Sequence, residues 1–415
     1  MYQESWMLLR EIKSRNAMGF LRSLFFAWLF AIITVSSQSY AGTALRALSD
    51  IDASALLVLD ESGVPLYSKQ VDEIFIPAST VKILTALIAL ETWGRAHRFG
   101  TEFYIDKSDN SLVVKGLGDP FLVSEEIDLI VDRIKQLDIQ VFSRINVDLS
   151  YFDDLLNSTH PAKSNNPYDA SASALAANFN TIDVEVLNGE VMSGEAQTPI
   201  TPMAKSLARG LSEGKHRINL GNARRGPEYF VEVLSEKLRR KGVEIQHNQV
   251  IESDTQKLDL LFTHYNSRPL EHMVASMLKY SNNFIANQLF LNLGADKFSL
   301  PASFENSKLM LIAFVDEYFR WQKYVIDDGA GLSRANRLSA SQLIEIVQSF
   351  VPYRDLMPSQ NQVIKAKSGT LNGVSCYAGY VFREGEWLSF ALLINHPVEY
   401  RFRERLAEEL VTTAF

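Results

Sequence analysis

The chain holds one cysteine among 415 residues, which excludes an intramolecular disulfide framework. Cys376 lies in the apolar segment Val374-Ser375-Cys376-Tyr377-Ala378, where a thiol behaves as a small buried hydrophobe rather than a nucleophile. The seven histidines include no His-Glu-x-x-His pair, and none stands with the cysteine at zinc spacing. Zinc hydrolysis and a Cys–His mechanism therefore lack support, and neither metal nor cofactor is expected. Basic charge is short too: 41 Lys+Arg against 49 Asp+Glu leave a net charge of −8. Phosphate neutralisation needs a basic surface, so nucleic acid is not an expected partner. Like-charge blocks, internal repeats and low-complexity tracts are all missing. What remains is an ordinary globular composition, 47% hydrophobic, with material for a large core. At about 150 residues per domain, the length allows two to three domains.

The compositional break is at the N-terminus. Leu24 to Val35 is an apolar run, preceded by Arg22 and followed by small residues ending Ser39-Tyr40-Ala41. A basic flank, an apolar stretch of about 7–15 residues and small residues at the cleavage site make a secretory signal. The run is shorter than the roughly 20 residues of a spanning helix. Residues 1–41 are therefore expected to be removed after Ala41, with Met1 or Met18 as the start, and the mature chain is expected to work outside the cytoplasm.

Ala55–Leu59 and Pro65–Ser68 flank Glu61-Ser62-Gly63 and read as a hairpin. A helix is predicted from Pro77 to about Trp93, and another at Glu125–Leu137. Further helices are predicted near Pro227–Lys241, Leu270–Leu293, Ser303–Trp321, Ser339–Phe350 and Val398–Thr413. Val363–Lys367, Ser375–Arg383 and Glu386–Ile394 read as strands. Residues 157–226 are rich in Asn, Ser, Ala, Gly and Pro, with weak periodicity. Strands at both ends with helices between predict one domain built from both termini and carrying a long insertion.

Chemistry enters at Ser79-Thr80-Val81-Lys82. Ser79 and Lys82 lie on one face at a helix start. The following VKILTALIAL is apolar on nearly every side, so its helix should be buried. Burial lowers the pKa of Lys82, and a neutral amine beside a hydroxyl is a workable general base. Ser-x-x-Lys also occurs at Ser212 and Ser276, but only Ser79 sits at a helix terminus. Ser-x-Asn begins at Ser14, Ser108, Ser164, Ser281 and Ser359. Ser281-Asn282-Asn283 interrupts a long helical pattern, either aiming side chains into a cleft or turning a helix–helix corner. Lys367-Ser368-Gly369 is the one Lys-Ser/Thr-Gly in the chain. There Lys367 offers a cation for a carboxylate, Ser368 and Thr370 offer hydroxyls, and Gly369 lets a substrate backbone approach closely. An edge-strand lysine that discourages aggregation is the bland alternative.

The order Ser-x-x-Lys, Ser-x-Asn, Lys-Ser/Thr-Gly is that of the penicillin-recognising serine acyl transferases. The wide spacing from Ser79 to Ser281 resembles the penicillin-binding protein 4 family of D-alanyl-D-alanine carboxypeptidase/endopeptidases. So do the phrases IPASTVKILTALIALETWG, LVVKGLGDPFL, INVDLSYFDD, PYDASASALAANFN, MLKYSNNFIANQL, DDGAGLSRANRLS and KAKSGTLNGVSCYAGYV. The resemblance implies an α/β (α+β) fold, with a central antiparallel sheet covered by helices. Residues 42–98 and 226–415 would form the penicillin-binding domain. Residues 99–225 would be inserted, with the third domain of many members reduced to a loop within 185–225.

By the same resemblance Ser79 is the acylated nucleophile and Lys82 its base. Ser281 relays a proton to the leaving group, Asn283 binds the peptide amide, and Lys367 holds the terminal carboxylate with Ser368 and Thr370. The N–H groups of Ser79 and Thr370 form the oxyanion hole. Asp148 aligns with an insertion-domain carboxylate that would receive the amine of a diaminopimelate side chain, and Gly331-Leu332-Ser333-Arg334 would shape the cleft wall. The implied partners are peptidoglycan stem peptides and cross-links, with β-lactams as covalent inhibitors. Two departures stand out: Asn282 where the family often has Asp, and Ser368 where Thr is usual. A β-lactamase would need an efficient deacylating group, and Glu185-Val186-Leu187-Asn188 falls one residue short of the usual loop motif. A non-catalytic wall-binding protein would require a decayed cleft, yet all three motifs keep usable side chains.

Overall fold

The computed structural model describes residues 43–153, 166–222, 224–247, 250–298 and 301–412. The expected signal segment, Ser14 and Ser164 lie outside them. The chain begins with α1 (Thr43–Ser49), β1 (Ser54–Leu59) and β2 (Pro65–Lys69), then a 3-10 turn, Ala78–Val81, that runs into α2 (Lys82–Trp93). Next come β3 (Gly100–Asp106), β4 (Ser111–Gly116), α3 (Ser124–Lys135), β5 (Val141–Phe142) and β6 (Ile145–Asp148). After these follow β7 (Thr181–Leu187), β8 (Glu190–Ser193), α4 (Pro202–Leu207), β9 (Gly214–Asn219), α5 (Arg225–Arg240), β10 (Glu244–Ile245) and β11 (Asp259–Tyr265). The rest comprises α6 (Leu270–Tyr280), α7 (Asn283–Phe298), α8 (Phe304–Tyr318), α9 (Ala340–Ser349), β12 (Ile364–Leu371), β13 (Val374–Arg383), β14 (Glu386–Ile394) and α10 (Phe402–Thr412).

The principal sheet is antiparallel, in the order β12-β13-β14-β1-β2, so strands from the two ends of the described chain close it together. Both its faces are buried. Along β14 the side chains of Leu388, Phe390, Leu392 and Ile394 pack with α1 and α10, while Ala391 and Leu393 join the core around α2, α6 and α7. Strand alternation thus divides one apolar run between two layers of helix. The apolar α2 is buried on every side from Lys82 to Leu90, as its composition predicts, and stops at Gly94 with φ of 77°. It is the central post against which α6 and α7 pack.

A second core lies among β3, β4, α3 and α5. Ile127, Ile130, Val131 and Ile134 recur at helical spacing on α3 and are all buried. Residues 181–219, expected as a loop in their later part, instead form the three-stranded antiparallel sheet β8-β7-β9. The final helix begins at Phe402 rather than Val398, after Arg401 takes φ of 60°.

Glu126 on α3 fastens this second core to the start of α6. It is 1% exposed and accepts from Arg268 Nη1 at 2.8 Å, His264 Nε2 at 3.0 Å and Ser267 N at 2.9 Å. Burial pushes its carboxyl up, but the hydrogen bonds from His264 and Ser267 outweigh that and bring it down to about 2. A depressed carboxyl stabilises the fold above its ordinary value of 4.5 and loses that contribution as pH falls toward about 2. Glu126→Gln is expected to cost about 3 kcal/mol at pH 7, with the deficit shrinking below pH ~4. Urea unfolding at both pH values measures it.

Candidate active site

Ser79 sits on the 3-10 turn before α2, where the chain is pinched from two sides. Ala78 is fully buried and adopts φ of 48°, a left-handed conformation unusual for alanine. A Cβ on Gly369 would meet Pro77 O at 2.8 Å and Ser79 N at 3.0 Å. One on Gly331 would lie 2.0 Å from Ala78 O. The backbone that crowds Gly369 is the chain's own Pro77–Ser79 segment, not the substrate backbone expected there. Gly331 also has φ of 77°, so Gly331→Ala clashes and strains together. It is expected to cost about 1–3 kcal/mol and to slow acylation of Ser79. Denaturant unfolding and a penicillin-labelling time course read the two effects.

Lys82 is completely buried, one turn along from Ser79. Its Nζ lies 3.0 Å from Ser79 Oγ, 2.7 Å from Asn283 Oδ1 and 2.5 Å from Ala330 O. Burial first, and the charge of Lys367 second, pull its pKa well below the usual lysine value, against a smaller opposing pull from Asp328. A neutral amine has two N–H bonds and one lone pair. Ala330 O can only accept, and Asn283 Nδ2 donates to Tyr168 O at 3.0 Å, which fixes Oδ1 as the acceptor. These two acceptors take both N–H bonds. In the neutral form the lone pair is then left for the Ser79 hydroxyl proton.

The Ser281-Asn282-Asn283 interruption is both a corner and a set of aimed side chains. Ser281 caps α6 in the left-handed conformation, φ 52° and ψ 37°. Asn282 Oδ1 accepts from Ile285 N at 3.0 Å, which starts α7. On either side of that cap, Asn283 reaches Lys82, and Ser281 Oγ accepts from Lys367 Nζ at 3.0 Å. Lys367 also donates to Ser368 O at 2.7 Å and is 1% exposed. Burial, with the Arg403 charge behind it, lowers its pKa to about 7. The two amines are enclosed, whereas Ser79 and Ser281 are only half-buried.

Ser368, Gly369 and Thr370 all lie on β12, which runs on to Leu371, past the predicted end of the strand. Being the edge of the principal sheet, β12 leaves alternate backbone groups free of strand partners. Beside Asn282 and Asn283 opens a cavity of about 470 Å³, walled by Phe121, Tyr168, Phe179 and Phe284.

Three contributors lie outside the three sequence motifs. Ala330 offers a backbone carbonyl, which has no side-chain signature. Asp328 holds that loop by accepting from Gly331 N at 2.5 Å and Ser333 N at 2.8 Å. DDGAGLS could have suggested such an Asp-anchored turn. Arg403, from α10, donates to Gly369 O at 3.1 Å and Thr370 Oγ1 at 2.6 Å. Nothing in the spacing pointed to it.

Asp148 is placed differently from the motif residues. Its carboxylate is 3% exposed and accepts from Ser150 Oγ at 2.6 Å and Thr255 Oγ1 at 2.5 Å, with Lys115 Nζ at 3.3 Å. Burial opposes its ionisation, but the Ser150 and Thr255 hydrogen bonds prevail and bring it to about 2. It ties β6 to β4 and to the segment before β11, a carboxylate occupied by its own chain rather than open to a substrate amine. Ser108 caps the β3–β4 turn through Asp106. Cys376 is fully buried, with its thiol pushed up to about 12 by burial, as expected of a core residue.

A serine, a buried amine one turn on, a Ser-x-Asn corner and an edge-strand lysine define a serine acyl-transfer enzyme. The model of the D-Ala-D-Ala carboxypeptidase 3 (S13) family matches residues 47–356, and the chain belongs to that family of serine peptidases. It is 24% identical to the D-alanyl-D-alanine carboxypeptidase of Actinomadura sp. (strain R39), over 82% of this chain and 77% of that protein. It is 23% identical to the D-alanyl-D-alanine carboxypeptidase DacB of Haemophilus influenzae, over 77% of this chain and 80% of that protein. In fold it resembles crystalline penicillin binding protein 4 of Haemophilus influenzae, with a TM-score of 0.73 and 19% identity. That match covers 89% of this chain and all of the other. A complex of the same protein with a novel β-lactam aligns at a TM-score of 0.68 and 20% identity, over 89% of this chain and 98% of the other.

Proposed function

We propose that this chain is an exported serine D-Ala-D-Ala carboxypeptidase and DD-endopeptidase acting on peptidoglycan stem peptides through an acyl-enzyme on Ser79. The observation that carries the reading is the buried Lys82 Nζ 3.0 Å from Ser79 Oγ, with acceptors as its two other partners. Ser79 Oγ attacks the penultimate D-Ala carbonyl while its proton passes to Lys82 Nζ. The N–H groups of Ser79 and Thr370 stabilise the oxyanion. As the C–N bond breaks, Ser281 hands a proton to the departing amine, that of terminal D-Ala or of a cross-linked diaminopimelate. Water then cleaves the ester and regenerates Ser79. Asn283 orients the peptide amide, and Lys367 with Ser368 and Thr370 receives the terminal carboxylate. β-Lactams acylate the same hydroxyl. Residues 99–225 are read as an insertion in this catalytic domain, and the apolar N-terminal run as the export signal.

Digestion of purified muropeptides, followed by mass analysis, tests the reading. Loss of terminal alanine and conversion of cross-linked dimers to monomers are expected, both blocked by prior treatment with penicillin. Unchanged pentapeptides and dimers would count against it.

A further inference from the structure

Lys367 is not the only cation at the third motif. Arg403 rises from the first turn of α10, and its side chain is only 18% exposed. One nitrogen, Nη1, donates both to Gly369 O at 3.1 Å and to Thr370 Oγ1 at 2.6 Å. Nε is engaged by Glu404 at 3.0 Å, which sets the plane of the guanidinium. Nη2 has no protein partner among the described residues. A hydroxyl that accepts from a guanidinium keeps its own proton for something else. Thr370 is exposed at the cleft-facing end of β12, so that proton is available to an incoming anion.

The geometry points to Arg403 as a positioning residue that makes the third motif selective for acyl donors bearing a carboxylate. It does so by orienting the Thr370 hydroxyl and by adding a second positive charge beside Lys367. A lone lysine is a point charge on a flexible stem, whereas the guanidinium fork fixes direction as well as sign. Arg403 also donates to the Gly369 carbonyl, which fixes the guanidinium over this end of β12. This inference rests on the proposed acylation of Ser79.

The test compares second-order acylation rates for two probes, benzylpenicillin and a thioester acyl donor without a free carboxylate. For Arg403→Ala, acylation by benzylpenicillin is expected to fall about 10- to 100-fold. Acylation by the carboxylate-free thioester should change less than about threefold. With a D-Ala-D-Ala peptide the loss should appear in KM more than in kcat. Arg403→Lys should recover only part of the deficit, since one ammonium cannot reproduce the fork. Thr370→Val should also slow acylation by benzylpenicillin, and combining it with Arg403→Ala should add little to that loss. Equal loss on both probes would assign Arg403 a merely structural part and overturn the inference, as would no loss on either. Thioester acylation doubles as the control for a folded site. If the wild type is acylated by neither probe, the acylation reading itself fails, which is a distinct result.

Discussion

Replacing Lys82 by methionine is expected to slow acylation of Ser79 by about a hundred- to ten-thousand-fold, the usual range for removing a positioned general base. Methionine nearly matches lysine in volume and can occupy the enclosed channel between α2, Asn283 and the Ala330 loop. It leaves Asn283 Oδ1 and Ala330 O without their donor. Each such buried acceptor costs about 1–3 kcal/mol, so the variant should also lose stability. The two effects separate by pH. In the wild type the cation forms only as pH falls through the depressed pKa of Lys82, and acylation is lost on that acid side. In Lys82→Met no such limb remains, and the residual rate should climb with hydroxide. Stopped-flow acylation across pH, alongside denaturant unfolding, measures both. A variant that keeps the wild-type acid limb would remove Lys82 from the mechanism.

The second large effect belongs to Lys367. Held at about 7 by burial and the Arg403 charge, it loses its proton as pH rises through neutrality. Capture of a substrate carboxylate should weaken accordingly, giving kcat/KM an alkaline limb near pH 7. A bound carboxylate favours the cation, so the corresponding limb in kcat should lie at higher pH. Lys367→Ala is expected to lower kcat/KM by about two to three orders of magnitude and to abolish the limb. Steady-state release of D-alanine from a D-Ala-D-Ala peptide, followed over pH, supplies both constants. An alkaline limb that survives in Lys367→Ala would assign it to another group.

The residues legible in the sequence were those whose chemistry is written in local spacing. Ser79 and Lys82 lie one turn apart at the mouth of an apolar helix, and the enclosure of Lys82 follows from that apolar run. Ser281 and Asn283 stood out because polar residues broke a helical pattern. Local evidence could not choose between a corner and a cleft, because the left-handed Ser281 makes both from the same three residues. What stayed hidden was either backbone or distant. Ala330 acts through a carbonyl, and Asp328 acts by shaping the loop that delivers it. Arg403 reaches β12 from a helix 33 residues further along the chain. Asp148 differs in resting on the resemblance alone. Alignment of a phrase marked it for a substrate, yet Ser150, Thr255 and Lys115, two of them remote in sequence, occupy its carboxylate. Within the small sheet, Ile182, Val184 and Val186 alternate on β7 as a strand requires, but β8 and β9 are exposed or half-buried almost throughout and carry no apolar alternation to pair with it.

Reaction with benzylpenicillin, followed by proteolysis and mass mapping of the adduct, puts the central claim to the most direct test. One covalent penicilloyl group is expected, carried by the peptide containing Ser79, and none on folded Ser79→Ala. An adduct on any other residue, or undiminished labelling of Ser79→Ala, would contradict it.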